Sequence, residues 1–219
     1  MNSQKSNKVY SNPVKIFKTN NWIKKVHSIL DAKKKYNSLM VTSNGNNKRT
    51  NIKKHMNSIY IINDVPSNPT IQYCDKKLDE IQNMTFDSVI AIGGGSVMDA
   101  AKVFIAGLNM INNCTIDLIK YNGKIEKNIL SIFIPTTHGT GSEVTMWGTI
   151  WDMKNQFKYS ISNPGLYPDY AILDYKLTES LPQDLSLITS MDALSHSLES
   201  IWNVNKNNTS TKYAIDAIE

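Results

Sequence analysis

Two short stretches carry residue types that do chemistry. In MDALSHSLE, Asp192 and His196 stand four positions apart, and on a helix that spacing puts both side chains on one face, about 5–6 Å from each other. A carboxylate and an imidazole so placed suit a divalent cation, although a catalytic metal takes three or more protein ligands and keeps an open position. A plain helix hydrogen bond or ion pair accounts for the same two residues. The second stretch is AIGGGSVMDAAK, residues 91–102, where three consecutive glycines follow an apolar run and a helix-forming segment begins at once. Glycine costs backbone entropy and offers nothing to pack, so three together call for a reason.

A strand, a glycine turn and a helix start together form an anion site, because the first backbone N–H groups of a helix are unpaired and its dipole is positive there. Gly93, Gly94 and Gly95 would let a pyrophosphate reach those donors, the Ser96 hydroxyl adds another, and Asp99 one turn on can bond ribose or amide groups. The stretch is not GxGxxG and lacks the GK(S/T) ending of a P-loop, so a tight structural turn also accounts for it. PTTHGTGSEVT, residues 135–145, repeats the arrangement after another apolar run. Thr136, Thr137, Thr140 and Ser142 offer hydroxyls there, and Gly139 and Gly141 allow close approach. Ligands of open α/β sheets bind beyond the carboxyl ends of the strands, where both loops would lie.

The elements that must position these residues follow from periodicity. Ser38–Thr42, Ile59–Ile62, residues 88–92 and residues 129–134 are nearly continuous apolar runs, as expected of strands covered on both faces in a parallel sheet. Residues 171–173 form a fifth candidate. Helical patterns lie between them, clearest over 70–83 and 97–108, so the fold class is α/β, a Rossmann-like parallel-sheet domain. From Asp184 the β runs stop and a helical pattern takes over, followed by a polar loop over 203–209 and a second helix near Ser210. The expected division is an α/β domain over 1–183 and the start of a helical domain over 184–219.

Composition narrows the classes further. Of the 219 residues 41% are hydrophobic and 20% charged, which describes an ordinary globular chain and excludes a disordered one. No apolar run is long enough to span a bilayer, so no membrane partner is expected. The N-terminus lacks the apolar core of a signal peptide. Cys74 and Cys114 are isolated, and a reduced, cytoplasmic setting is expected. The formal net charge is +5, and thirteen Lys or Arg against one acid, Asp31, lie between Met1 and Lys54. Without interleaved aromatics or a base-reading motif, that block reads as a solvated surface or an attraction for anionic ligands, and not as a nucleic-acid interface.

Taken together the motifs resemble the iron-containing (group III) alcohol dehydrogenase family. GGGSVMDAAK looks like its GGGSxxDxAK signature, PTTHGTGSEVT like its PTTxGTGSE signature, and MDALSHSLE like the segment holding its first two metal ligands; VPSNPTIQ resembles its short turn before a helix. The resemblance implies an NAD- or NADP-binding domain followed by a helical metal-binding domain. It makes Asp192 and His196 ligands of Fe²⁺ or Zn²⁺, acting in catalysis through the metal. Gly94, Gly95, Ser96, Asp99, Thr136, Thr137, Ser142 and Lys158 would contact the cofactor. Ser43 stands where many NAD users carry an acid, with Lys48 and Arg49 nearby, which points to NADP(H). His138 replaces a small residue of the signature and is expected to face solvent with no role.

The stretches SHSLESIWN and TMWGTIWD resemble the branch that reduces phosphonoacetaldehyde, an anionic aldehyde; a general short-chain alcohol or aldehyde reductase is the related alternative. Relatives commonly assemble as homo-oligomers. The family's other two ligands are downstream histidines, and His27, His55 and His138 do not match them. The expectation is therefore a C-terminally truncated copy that binds metal poorly, at the limit a nucleotide-binding remnant without turnover.

Overall fold

The structure is a computed structural model that describes residues 12–52, 56, 59–110, 114–179 and 181–219. Residues 1–11 and 53–55 of the basic N-terminal block, His55 among them, lie outside the described residues.

Six strands form one parallel sheet: β1 (Lys15–Thr19), β2 (Ser38–Thr42), β3 (Ile59–Ile62), β4 (Ser88–Gly93), β5 (Leu130–Pro135) and β8 (Tyr170–Asp174), in the spatial order β1-β8-β5-β4-β2-β3. Between β5 and β8 the chain makes an antiparallel hairpin, β6 (Trp147–Asp152) and β7 (Phe157–Ser162). Every residue of β2 and β4 is buried, which is why these runs carry no polar alternation. The two faces feed two cores by strand alternation. Leu39, Val41, Val89, Ala91 and Phe133 point into one core, and Met40, Ile90, Ile92, Ile132 and Ile134 into the other.

Helices cover both faces: α1 (Trp22–Lys33), α2 (Asn44–Thr50), α3 (Ile71–Ile81), α4 (Gly95–Asn109), α5 (Thr115–Lys120) and α6 (Lys176–Glu179). Local chemistry sets their starts. Asn21, Ser43 and Thr70 accept from the backbone N–H groups of Lys24, Asn46 and Tyr73 in turn, each an N-cap bond. The chain leaves β2 toward β3 on one side and leaves β4 toward β5 on the other, so a crevice opens between the carboxyl ends of β2 and β4.

The five strands and two helices expected from the sequence are present with their ends moved by one or two residues. Strands β1, β6 and β7 were not legible. Strand β1 is a short, exposed edge strand with Lys15 and Lys18 in it, and its sheet partner among the described residues lies some 155 residues away, Lys15 opposite Tyr170. No local pattern encodes such a pairing.

Two further helices, α7 (Gln183–Trp202) and α8 (Asn208–Ile218), pack on each other, and Asn207 with Ser210 forms a capping box at the start of α8. Helix α7 reads as amphipathic, yet its buried residues are Thr189 and Ser197, while Leu187 (62%), Ile188 (63%) and Met191 (55%) are exposed. Its small polar face meets the loop after β5. There Gly139 has φ +95°, and a Cβ would sit 2.4 Å from the Thr189 carbonyl oxygen, so both dihedral and space demand glycine. His138 is exposed as expected, and it also bonds to α7: its Nε2 shares a hydrogen bond of 2.9 Å with Ser186 Oγ, and its Nδ1 lies 3.4 Å from Thr189 Oγ1.

Two outcomes follow for stability. Gly139→Ala should lower stability by about 1–3 kcal/mol and loosen α7 first, read as faster proteolysis between α7 and the sheet domain. Leu187→Gln with Ile188→Gln should change the denaturation midpoint by about 0.5 kcal/mol or less in this chain, whereas Phe104→Ala, fully buried, should cost about 3–5 kcal/mol.

Candidate functional site

The glycine turn is built for two different close approaches. Gly93 closes β4, Gly94 is the N-cap of α4, and no side chain caps that helix. A Cβ on Gly93 would lie 2.5 Å from Val97 Cγ2, and one on Gly94 would lie 3.2 Å from Thr137 Oγ1. Gly93 is therefore required by the packing of the turn itself, and Gly94 fits closely against Thr137. Gly95 is different: a Cβ there meets Thr140 only at 3.5 Å, an ordinary contact, so the open space beside the helix N-terminus is not demanded by the protein's own packing. Beside Gly94 the hydroxyl oxygen of Thr137 is shielded from solvent and has no hydrogen-bond partner among the described residues. A desolvated hydroxyl without a partner is costly and marks a place where a ligand can supply the missing bond. Ser96 Oγ accepts from the N–H of Asn68 at 3.2 Å.

Beneath this turn lies a charge cluster. Lys102, two turns along α4, is fully buried. Its Nζ donates to the Ser142 carbonyl at 2.9 Å, Ser142 Oγ at 2.8 Å, Thr145 Oγ1 at 3.2 Å and the carbonyl of Trp147. Ser142 Oγ in turn donates to Asp99 Oδ1 at 2.9 Å. Burial pushes the Lys102 amine down to about 8, against the pull of Asp99 and Glu143. Burial likewise raises Asp99, opposed chiefly by Lys102, and raises Glu143.

A cleft of about 560 Å³ connects the turn to the helical hairpin. Gly95, Ser96, Asp99, Ser142, Lys158, Asp192 and His196 all line it. Lys158 reaches it from β7, its Nζ 5.7 Å from the centre of the Trp151 ring. Asp192 and His196 face each other across one turn of α7, Oδ1 to Nε2 3.5 Å, with 47% and 64% of their side chains exposed. Among the described residues no three His, Cys, Asp or Glu side chains are grouped to hold a metal ion.

The remaining expected site residues fall elsewhere. Ser43 caps α2 through Asn46, and Thr136 Oγ1 reaches the same Asn46 at 3.2 Å, so Asn46 bridges the crevice between β2 and the loop after β5. Arg49, expected beside a cofactor phosphate, donates to the Leu177 carbonyl and to Asn46 Oδ1, both at 2.9 Å; Lys48 is exposed. Thr137 lines a second cleft of about 790 Å³ with His138, Tyr175 and Thr178, and Gly139 borders both clefts. Sequence reasoning missed Lys102 and Asn46. The i, i+3 spacing of Asp99 and Lys102 placed them on one helix face, but nothing local showed that the loop bearing Ser142 would close over that face.

Comparison with known proteins identifies the family and the fold. The profile of the iron-containing alcohol dehydrogenases matches residues 13–175. The 1-propanol dehydrogenase PduQ of Citrobacter freundii is 38% identical over 143 residues, 65% of this chain and 35% of that protein. NADH-dependent butanol dehydrogenase A of Clostridium acetobutylicum is 30% identical over 203 residues, 88% of this chain and 51% of that protein. This chain thus spans about a third to a half of these curated relatives. A crystal structure of an iron-containing alcohol dehydrogenase superposes with a TM-score of 0.85 at 30% identity, covering 95% of this chain and 58% of the other. Sulfoacetaldehyde reductase from Bifidobacterium kashiwanohense, solved in complex with NAD+, gives 0.85 at 26% identity, covering 96% and 57%. With its glycine turn, its loop of threonines and the profile matched across the whole parallel sheet, the chain belongs to the iron-containing alcohol dehydrogenase family.

Proposed function

We propose that this chain is the dinucleotide-binding part of an NAD(P)-linked alcohol dehydrogenase or aldehyde reductase that acts on a small anionic aldehyde. The observation that carries the reading is the shared cleft: the uncapped N-terminus of α4 and the Asp192–His196 pair line the same cavity. A bound nicotinamide would supply the hydride that the carbonyl carbon takes up. The chain's own residues bind and orient. The N–H groups at Gly95 and Ser96 meet the pyrophosphate, and the unpaired hydroxyl of Thr137 offers a donor within the turn. Lys158 places a cation in the cleft for the ribose or an anionic substrate. Ser43 avoids repelling a 2′-phosphate, whereas Arg49 is engaged elsewhere, so both NAD(H) and NADP(H) belong to the proposal.

Asp192 and His196 supply oxygen and imidazole donors suited to Fe²⁺ or Zn²⁺, which would polarise a carbonyl oxygen as a Lewis acid. Two donors fall short of the three that such a centre needs, so no step of the reaction is assigned to these residues in the described chain. That shortfall favours a second reading for the chain by itself, nucleotide binding without turnover. For the substrate, the cation of Lys158 and the likeness to an enzyme named for sulfoacetaldehyde support an anionic two-carbon aldehyde, phosphonoacetaldehyde being the one the sequence resembles.

Fluorescence titration of the full chain should show binding of NADH or NADPH. Gly95→Val should weaken it by about tenfold or more with little loss of stability. Thr137→Val should leave stability unchanged or raise it by about 1 kcal/mol while weakening the nucleotide, because it removes a desolvated hydroxyl. Unaltered affinity in both variants would place the nucleotide elsewhere. Turnover without added metal, or a preference for butanal over phosphonoacetaldehyde in a substrate panel, would overturn the metal and substrate assignments respectively.

A further inference from the structure

Lys102 has no role in the function proposed above, yet it is the one fully buried cation among the described residues. Four oxygen atoms surround its Nζ, one more than the three protons of an ammonium group can satisfy singly. The neutral amine carries only two protons and accepts at its lone pair. On losing a proton the group would leave acceptors unpaired, and the Ser142 hydroxyl could turn from Asp99 toward the nitrogen. The charge state of Lys102 would then set the orientation of Ser142, and through it the donor that Asp99 faces at the edge of the cleft.

The charged groups about this amine come from each packed element. Asp99 lies on its own helix, and Glu143 on the turn Ser142–Val144. Lys158 from β7 acts on Asp99, and the Phe133 ring of β5 lies 5.9 Å from Nζ. Trp147 of β6 contributes only its carbonyl. The two carboxylates favour the ammonium and burial opposes it, which holds the group near the middle of its titration at mildly alkaline pH. Gly95 lies two helical turns away, about 10 Å along the axis. At that separation a phosphate charge and a buried ammonium couple by on the order of tenfold in an equilibrium constant.

We propose that Lys102 is the positioning residue of the nucleotide site: its ammonium orders Ser142 and Asp99, and binding of the anionic nucleotide draws a proton from solvent onto its amine. The inference rests on the nucleotide reading above. The sign is fixed by linkage. A ligand that favours the protonated amine binds more weakly as pH rises through the range in which the free chain loses that proton.

The test is titration of the full chain with NADH and NADPH at about pH 7 and about pH 9.5, with calorimetry near pH 8.5 in two buffers of different ionisation heat. We expect affinity to fall about fivefold or more between the two pH values, with net proton uptake on binding. Lys102→Met should bind weakly and equally at both. Lys102→Arg, which keeps its charge throughout, should also lose the pH dependence. Equal wild-type affinity at both pH values with no proton uptake overturns this proposal alone, and this measurement stands whether or not the variants fold. No binding at either pH overturns the nucleotide reading and this proposal with it.

Discussion

The Lys102 amine sits where three parts of the chain meet: helix α4, the loop after β5 and the first strand of the hairpin. A cation out of reach of water is tolerated only when oxygen atoms surround it, and here three of the four come from the loop, two from Ser142 and one from Thr145, with the fourth from Trp147 in the hairpin. The requirement works in both directions. The ammonium needs the loop folded down over α4, and the loop, with Gly139 and Gly141 at positive φ, is held there by these bonds together with those of Thr136 to Asn46 and His138 to Ser186. Asp99, Ser142 and the cleft wall they form follow from that closure.

The sheet determines where this closure happens. Buried parallel strands carry both loops to one end, and the divergence of the chain after β2 and β4 opens the crevice there. Within the turn the glycines do separate jobs. Gly93 is needed because Val97 lies against it, Gly94 lies close to Thr137, and Gly95 leaves space that the protein does not fill. A run that looks uniform in sequence is divided by its surroundings into packing positions and an open one.

Helix α7 meets the sheet domain through small and polar residues. Its contact with the sheet domain includes Thr189 and Ala193 against Gly139 and the His138 hydrogen bonds to Ser186 and Thr189, while Leu187, Ile188 and Met191 are exposed. A small polar face permits the close approach that brings Asp192 and His196 to the cleft, and a face of Leu187, Ile188 and Met191 would hold the helix further off. Placement of the pair therefore depends on the small residues beside it.

By itself the sequence determined five of the six strands of the parallel sheet, the helices near 70–83 and 97–108, the two glycine-bearing loops and the Asp192–His196 pair. Each is written in residues close together along the chain, where apolar runs, N-caps and helix spacing act locally. It did not determine strand β1, whose pairing spans most of the chain, or the hairpin, whose two strands are partly exposed. Nor did it show that Arg49 is occupied, that His138 fastens α7, or that Lys102 is buried under the Ser142 loop. Those outcomes depend on which distant surfaces meet. Hydrogen-bond acceptors for a buried cation, and the space left beside a glycine, exist only once the sheet has brought the loops together.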